Sequence, residues 1–569
     1  MSKIIRINMT KMTVKSETTP DKYLKLGGRG LTSRVLFDEV NPTCDPLGDE
    51  NKIILAPGLF GGTVAPCSGR LSIGAKSPLT GGIKESNAGG IAGRSISKLG
   101  IKAIIIEGEA PKNNWYILKI DNNGVEIISA DKFEGLGTYK LVEKIREEYR
   151  EKIAIICIGP AGEKCLLSAG LAINNLSGEA ANFAARGGIG AVLGSKRIKA
   201  ILIDEKGANF SFKCYDKKNF NEISKNFIKK LIETKAILHK YGTNMLLDIA
   251  QATGAMPTRN YKEGQFEGYK NINTNNFYNL IYKRKGKTGT PCMSGCPIKC
   301  KAIWHDSKGK YYSHGLEYES TAMLGPNCGI DDWDIIARLN RQCNDYGLDT
   351  IEIGATIGLA MEAGLLKFGD GEGAIKLLEN VKENTVLGRV IGNGAYIAGK
   401  VFGIKNIPVV KRQAIPAWEP RAIKGSGVTY ATSPMGADHT AGNALPGRPG
   451  ITPDLNLDSL DPTDKAKISW ELQILSTCLD CAFCWLVGAS VESIDVIADL
   501  MSAMMGKKVN RKDILDIGED TLNIEKQFNQ KAGFTKRNNR LPMYLKKEKL
   551  PPFNTVFDIS DEEIDNMVN

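Results

Sequence analysis

Three cysteines, Cys292, Cys296 and Cys300, stand in PCMSGCPIKC, and three more, Cys478, Cys481 and Cys484, in TCLDCAFCW. Thiolates gathered from two distant stretches of one chain are the ligand type of an iron–sulfur centre, and hence of electron transfer. Three-residue spacers, with Gly295 and Pro297 beside Cys296, let the first three sulfurs converge, and the second group supplies a remaining ligand. Structural zinc is the competing reading, but zinc prefers Cys or His in pairs two residues apart, and no histidine accompanies either group. Cys478, Cys481 and Cys484 recur every third residue after a helical run, so one faces inward while the other two pack at the helix end. The remaining seven cysteines, Cys44, Cys67, Cys157, Cys165, Cys214, Cys328 and Cys343, stand alone and read as small buried hydrophobes.

Proton chemistry has fewer candidates. Of four histidines, His439 lies in YATSPMGADHTAGN, a loop of small and polar residues that offers it no apolar face, whereas His239, His305 and His314 have ordinary settings. Glu317 and Glu319 in HGLEYES alternate as on a strand, so both carboxylates are expected on one side, where a partly dry pocket raises the pKa of a base. CSGRLSIG, SNAGGIAG and AARGGIGAVLGSK supply backbone N–H groups and arginines suited to phosphate. The last has the glycines of a dinucleotide turn but reads as leading into the strand KAILID rather than opening a helix, which argues against nicotinamide binding.

The elements that position these residues change character along the chain. Up to about residue 205, β-branched runs alternate with glycine-rich turns: KIIRINM, KIILA, RLSIG, KAIIIEG, WYILKI, GVEII, IAIICIG and KAILID. One helix, Thr138 to Tyr149, interrupts them. After Cys214 the period becomes helical, with Phe220, Phe227 and Leu231 on one face. Further helices are expected at Asp332 to Tyr346, Ile351 to Leu366, Ala374 to Lys382, Thr463 to Thr477 and Ser493 to Met505. Thr253 to Pro297 and Ile407 to Ile451 read as long irregular segments, the kind that carries function. The expected architecture is α+β: a sheet-rich domain over 1–205, then mainly helical domains over 206–400 and 401–569.

Composition narrows the function further. With 42% hydrophobic and 24% charged residues the chain is an ordinary globular one, without a leader-like amino terminus or eighteen consecutive apolar residues, and is expected in the cytoplasm. The net charge of +11 is spread thinly, and the short basic stretches lack interleaved aromatics, which excludes nucleic acid as the favoured partner. The same charge suits an acidic redox carrier.

Several segments read together resemble the aldehyde ferredoxin oxidoreductase family: GGRGLTSRVLFDEV, APCSGRLSIGAKSPLTGG, ESNAGGIAGRSISKLG and RGGIGAVLGSKRIKAI, then CPIKC, LEYES and NDYGLDTI, then EPRAIKGSGVTYATSPMGADH, FCWLVGA and RLPMYLKKEKLPPFNTVFD. The resemblance covers nearly the whole chain. It implies a tungsten (or molybdenum) bis-pyranopterin at the domain interface, a [4Fe–4S] cluster, and magnesium bridging the pterin phosphates. By position it places Arg70, Asn87, Arg186 and Gly187 on those phosphates, and Asn344, Gly347, Leu348 and Asp349 in one pterin motif, usually D-x-x-G-L-D. The second motif, D-x-x-G-L-C, falls on LDCAFC, where Asp480 stands one place closer to Cys484, Ala482 replaces Gly and Phe483 replaces Leu. Cluster ligands carry over as Cys296, Cys300 and Cys484; the family's first ligand falls on Met293, so Cys292 takes that part, with Cys478 or Cys481 as the alternatives.

The resemblance further implies that His439 hydrogen-bonds an aldehyde carbonyl, that Glu317 or Glu319 takes the proton, and that two electrons leave singly through the cluster to ferredoxin or a similar carrier. The product is a carboxylate, and the reverse reduction uses the same site. A same-cofactor relative acting on glyceraldehyde-3-phosphate or an aromatic acyl-thioester is the competing enzyme reading, and a zinc-stabilised nucleic-acid-binding protein the competing class. Relatives of this kind occur as dimers or with electron-transfer subunits.

Overall fold

The structure is a computed structural model that describes residues 2–111, 113–208 and 212–568. The sheet-rich region holds two six-stranded sheets. In spatial order the first is Thr13–Thr18, Lys3–Asn8, Ile101–Glu107, Ile53–Pro57, Leu71–Lys76 and Ile83–Ala88. The second is Ala180–Ala184, Leu171–Asn174, Ala154–Cys157, Ile198–Ile203, Tyr116–Asp121 and Gly124–Ser129. Pairing is mostly antiparallel, with parallel neighbours at Lys3–Asn8 beside Ile101–Glu107 and at Ile198–Ile203 beside Tyr116–Asp121.

The uninterrupted apolar runs of the central strands follow from burial on both faces. Side chains alternate across a strand. Ile53, Leu55, Ile104 and Ile106 therefore pack toward the second sheet, among Leu118, Ile155 and Ile201. Ile54, Ala56, Ala103 and Ile105 pack on the opposite face against Leu31, Val35 and Leu36 of the helix Gly28–Glu39. That helix, together with Ala92–Lys98, was not expected. Gly28–Glu39 opens with glycines because it starts hard against the backbone of a distant helix: a Cβ on Gly28 would stand 2.0 Å from the Asp480 carbonyl oxygen.

The rest of the chain is mainly helical, with small sheets at Lys287–Thr290, Lys301–His305 and Tyr311–His314 and at Val409–Val410 with Gln413–Ala414. The helical expectations correspond to Lys217–Thr234, Trp333–Tyr346, Thr350–Glu362, Gly371–Glu383, Lys465–Ala482 and Val491–Met505. One hydrophobic cluster runs through this half and across residue 400, from Leu247 to Ile564.

Three local expectations are corrected. The two long segments are not structureless: Thr274–Lys283 lies in one and Lys424–Thr432 in the other. GGIGAVLG does open a helix, Ile189–Ser195, so that argument against a dinucleotide turn fails. Its preceding strand pairs antiparallel with Leu171–Asn174, so the segment lacks the parallel strand–helix–strand frame of such a site. LEYES is not a strand: Glu317 precedes the helix Tyr318–Leu324, and Glu319 sits in its first turn.

The two halves are joined by a buried charge cluster. Arg29 donates from Nε and Nη2 to the Glu525 carboxylate at 3.0 and 2.8 Å, Ser33 donates to the same group at 2.7 Å, and Arg29 Nη1 lies 3.4 Å from Asp480. Glu525 belongs to the helix Arg511–Lys531, which packs on both Gly28–Glu39 and Lys465–Ala482. Removing one partner strands a buried charge. Arg29→Met and Glu525→Gln are each expected to cost about 3–5 kcal/mol in urea unfolding. The Arg29→Met/Glu525→Leu double variant should cost less than the sum of its single variants.

Candidate active site

A cavity of about 310 Å³, open on one side, lies where the sheet-rich region meets the helical half. Arg70, Glu85, Asn87, Asn182 and Arg186 line it from the sheets, and Cys300, Glu319, Asn344, Asp349, His439 and Cys484 from the other side. Six polar atoms of its lining residues are buried without a hydrogen-bond partner: Glu85 Oε1, Asn182 Nδ2, Glu319 Oε1, Asn340 Nδ2, His439 Nδ1 and Trp485 Nε1. Buried polar groups are normally satisfied, so this concentration marks a place built for a polar ligand.

Cys292, Cys300 and Cys484 line the cavity. Cys296 stands close to Cys292 and Cys67. The CPIKC loop is held by the sheet-rich region: Gly90 N–H donates to the Cys292 carbonyl at 3.1 Å, and Cys67 N–H to Gly295 at 3.2 Å. Met293 is buried against Gly69. Of the later group only Cys484 joins this set. Cys478 donates to the Ile514 carbonyl at 3.2 Å, and Cys481 accepts from Gly30 N–H at 3.3 Å. Sequence reasoning missed Cys67, which the chain order leaves isolated.

Arg70 stands close to the Cys292 and Cys484 thiols and to Glu85 and Asp480. It donates to the Asn87 side chain, and through Nη2 to the Asn87 carbonyl at 2.9 Å. Arg186 donates to Asp349 at 3.1 Å and to the Ala437 and Ala414 carbonyls at 2.6 and 2.7 Å, so it also clamps three segments. Gly187 has φ 81° and lies against the Lys84 stem, and its carbonyl accepts from Ser77 at 2.7 Å. Asn344 and Leu348 line the cavity. Gly347 ends the helix Trp333–Tyr346 in the left-handed region and accepts from Gly170 N–H at 2.8 Å, tying this motif to the second sheet.

The LDCAFC residues separate. Asp480 remains in the charge cluster with Arg29, Arg70 and Glu85, and burial pushes its carboxyl well up. Phe483 was expected at the cofactor, but its ring packs against Phe60 and Phe227, because the helix ends at Ala482 and turns this side chain into the aromatic core.

Glu317 and Glu319 also separate. Glu317 accepts from Thr243 at 2.6 Å and pairs with Lys301 at 2.9 Å. Burial would raise its carboxyl, but Lys301 and Thr243 hold it below the usual carboxylate range. Glu319 accepts only from Ala417 N–H, at 2.7 Å through Oε2, and burial pushes its carboxyl up against the opposing influence of His439. His439 Nδ1 is 3.6 Å from Asp438, which Lys84 pairs at 2.5 Å and Thr440 N–H caps at 3.1 Å. Burial alone would raise Asp438, yet Lys84 and Arg186 hold it far down.

Thiols, a buried carboxylate with one unpartnered oxygen and an imidazole line one cavity, a donor set that suits an oxidoreductase. The chain belongs to the aldehyde ferredoxin oxidoreductase family: residues 4–205 match its description "Aldehyde ferredoxin oxidoreductase, N-terminal domain" and residues 221–569 "Aldehyde ferredoxin oxidoreductase, domains 2 & 3". The chain is 35% identical to a tungsten-containing aldehyde ferredoxin oxidoreductase of Pyrococcus abyssi over 96% of its length and 92% of the relative's. Over 80% of this chain and 77% of the relative, it is 30% identical to the WOR-like subunit of an aliphatic sulfonate oxidoreductase of Pyrococcus furiosus. The BamBC active-site complex of benzoyl coenzyme A reductase has the same fold, with TM-score 0.83 at 19% identity, covering 100% of this chain and 93% of that one. No helix among the described residues is long and apolar enough to cross a membrane.

The Lys301–Glu317 pair has a pH signature. A carboxyl whose folded pKa is depressed contributes stability that is present above its unfolded value and lost as pH falls through the folded value. Lys301→Met is therefore expected to destabilise the protein by about 2 kcal/mol at neutral pH. The gap between wild type and variant should narrow as pH drops below the ordinary glutamate range, as read from thermal midpoints at pH 7 and pH 4.

Proposed function

We propose that this enzyme oxidises an aldehyde to the carboxylate, or runs the reverse reduction, and exchanges the electrons with ferredoxin or a similar small carrier. The observation that carries the reading is the pairing of an unpartnered Glu319 Oε1 with an unpartnered His439 Nδ1 in a cavity lined by cysteine thiols. The donor set fits the groups that the family implies. Cys292, Cys296, Cys300 and Cys484 would hold a [4Fe–4S] cluster, each thiolate taking one iron. Arg70, Asn87, Arg186 and Gly187, with Asn344, Gly347, Leu348, Asp349 and Asp480 opposite, would hold a bis-pyranopterin with tungsten or molybdenum and its bridging magnesium. When bound, that group supplies the two-electron redox step; the chain's own residues supply orientation and proton handling.

Lys84 and the Thr440 N–H fix Asp438, and Asp438 in turn sets the loop that presents His439. From there the imidazole donates a hydrogen bond to the substrate oxygen and stabilises charge that develops on it. Glu319, dry and held through one oxygen by Ala417, takes the proton on its free Oε1. Glu317 stays ionised against Lys301 beside Cys300 and has no free proton-accepting part. Lys235 and Arg448 stand together near Cys67, and their charge would suit an acidic carrier in the cytoplasm.

Anaerobic assay against an aldehyde panel with a viologen acceptor tests the reading, glyceraldehyde-3-phosphate and an aromatic acyl-thioester included. Metal analysis should find about four irons per chain together with tungsten or molybdenum. Zinc without iron, or no oxidation of any aldehyde, overturns it. Glu319→Gln is expected to lower kcat by about 10²–10⁴-fold at unchanged metal content. Glu317→Gln should lower it far less. The wild-type rate should rise with pH as the Glu319 carboxylate forms, with its midpoint above the ordinary value of 4.5.

A further inference from the structure

The segment that carries His439 brings a second hydrogen-bond donor to the cavity. His439, Thr440, Asn443 and Leu445 all line it, and Asn443 is a buried amide whose two ends meet different surroundings. Its Oδ1 accepts from Ser426 Oγ at 2.7 Å and from Tyr430 Oη at 3.3 Å. Ser426 and Tyr430 stand four residues apart on the helix Lys424–Thr432, so both hydroxyls reach one point from one face. An amide side chain carries an acceptor at one end and two N–H donors at the other. With the oxygen taken, Nδ2 is the end left for the cavity, and no described residue accepts from it. The backbone is fixed as firmly. Gly442 holds φ 125°, a Cβ on it would stand 2.7 Å from the Gln473 nitrogen, and its carbonyl accepts from Thr429 at 2.8 Å. Arg448 donates to the Asn443 carbonyl at 3.4 Å. Helix and turn together hold a rigid donor whose partner must come from a ligand in the cavity.

We infer that Asn443 is a further catalytic residue, whose Nδ2 donates to the substrate carbonyl oxygen beside His439. This role rests on the aldehyde reading above and adds to it a second hydrogen bond at the oxygen where negative charge develops. Donors fixed before the charge appears stabilise it without reorganising, and they act most strongly where water is scarce. Leu246, Trp418 and Leu445 give the same cavity apolar lining, which leaves that oxygen few competing donors. The two donors differ in kind. An imidazole changes charge near neutral pH, whereas an amide does not titrate, so Asn443 keeps its hydrogen bond whatever the protonation state of His439.

The test compares the anaerobic holoenzyme with Asn443→Ala, Asn443→Asp and Ser426→Ala by kcat and KM for an aldehyde that the wild type oxidises, by metal content and thermal midpoint, and by calorimetric binding of the corresponding carboxylate. Asn443→Ala and Asn443→Asp should each lower kcat about 10²–10³-fold. KM should move only about threefold, as expected when the lost contact belongs to the transition state. Carboxylate binding should weaken about tenfold in Asn443→Ala. Asn443→Asp keeps an oxygen for Ser426 and Tyr430 but has no N–H, so it separates the donor from a purely structural tie and serves where Asn443→Ala folds poorly. Ser426→Ala, which leaves the Tyr430 bond and Nδ2 in place, should lose no more than about tenfold in kcat. Wild-type kcat in Asn443→Asp would reduce Asn443 to an anchor for the helix and overturn the inference. Metal loss that accounts for the whole fall in activity of both Asn443 variants would make it a packing residue and overturn it equally. A wild-type enzyme that oxidises no aldehyde would instead sink the reading on which the inference rests.

Discussion

The rest of the structure depends on a division of buried charge between the two halves of the chain. Arg29, Lys84 and Arg186 lie on the sheet-rich side and are almost wholly buried, while Glu525, Asp438, Asp349 and Glu352 face them from the helical side. Neither half can hold its charges dry alone, since each desolvated ion costs several kcal/mol unless a partner compensates it. The cavity therefore exists only when the halves are docked, and docking fixes its walls in one arrangement.

Each pair also sets something at the site. Asp438 is at once the partner of Lys84 and the cap of the turn that carries His439, so the position of the imidazole is determined from the other half of the chain. Asp349 pairs with Arg186 through one oxygen and caps the helix Thr350–Glu362 through the other, accepting from Ile351 N–H at 2.9 Å. Glu352, one turn along, accepts from Ala395 and Ala414 N–H at 2.9 Å each, and burial with the nearby Asp349 pushes its carboxyl up to about 7. The same polar residues thus position the cavity and join the halves that enclose it.

The doubly buried strands were readable because burial on both faces writes Ile–Ile–Leu and Ile–Ile–Ile as continuous runs. The helix Gly28–Glu39 was not, since its identity lies in contacts with residues 480 and 525 and its glycines serve close approach rather than turning. Spacing exposed the clustered cysteines. It could not expose Cys67, whose sequence neighbours contain no other thiol and which enters the set only through backbone bonds to Gly295 and Cys484. Phe483 illustrates the converse: a motif position identifies a place in the chain, and one changed helix end sends its side chain elsewhere.

The two glutamates of LEYES show why local conformation outweighs motif content. On a strand, residues two apart share a face and a common environment. At a helix start they diverge by about 200°, and here the divergence sends neighbouring carboxylates into opposite electrostatic settings. Glu317 meets Lys301 and stays ionised beside Cys300, balancing charge near the thiols. Glu319 turns to the dry wall opposite His439, where burial favours its protonated form and leaves one oxygen unbound. A single helical turn thereby keeps a carboxyl that burial pushes up apart from one that Lys301 holds down. That separation is what the proposed mechanism requires, since a base beside His439 must be able to change its charge, whereas a counter-ion beside the thiols must not.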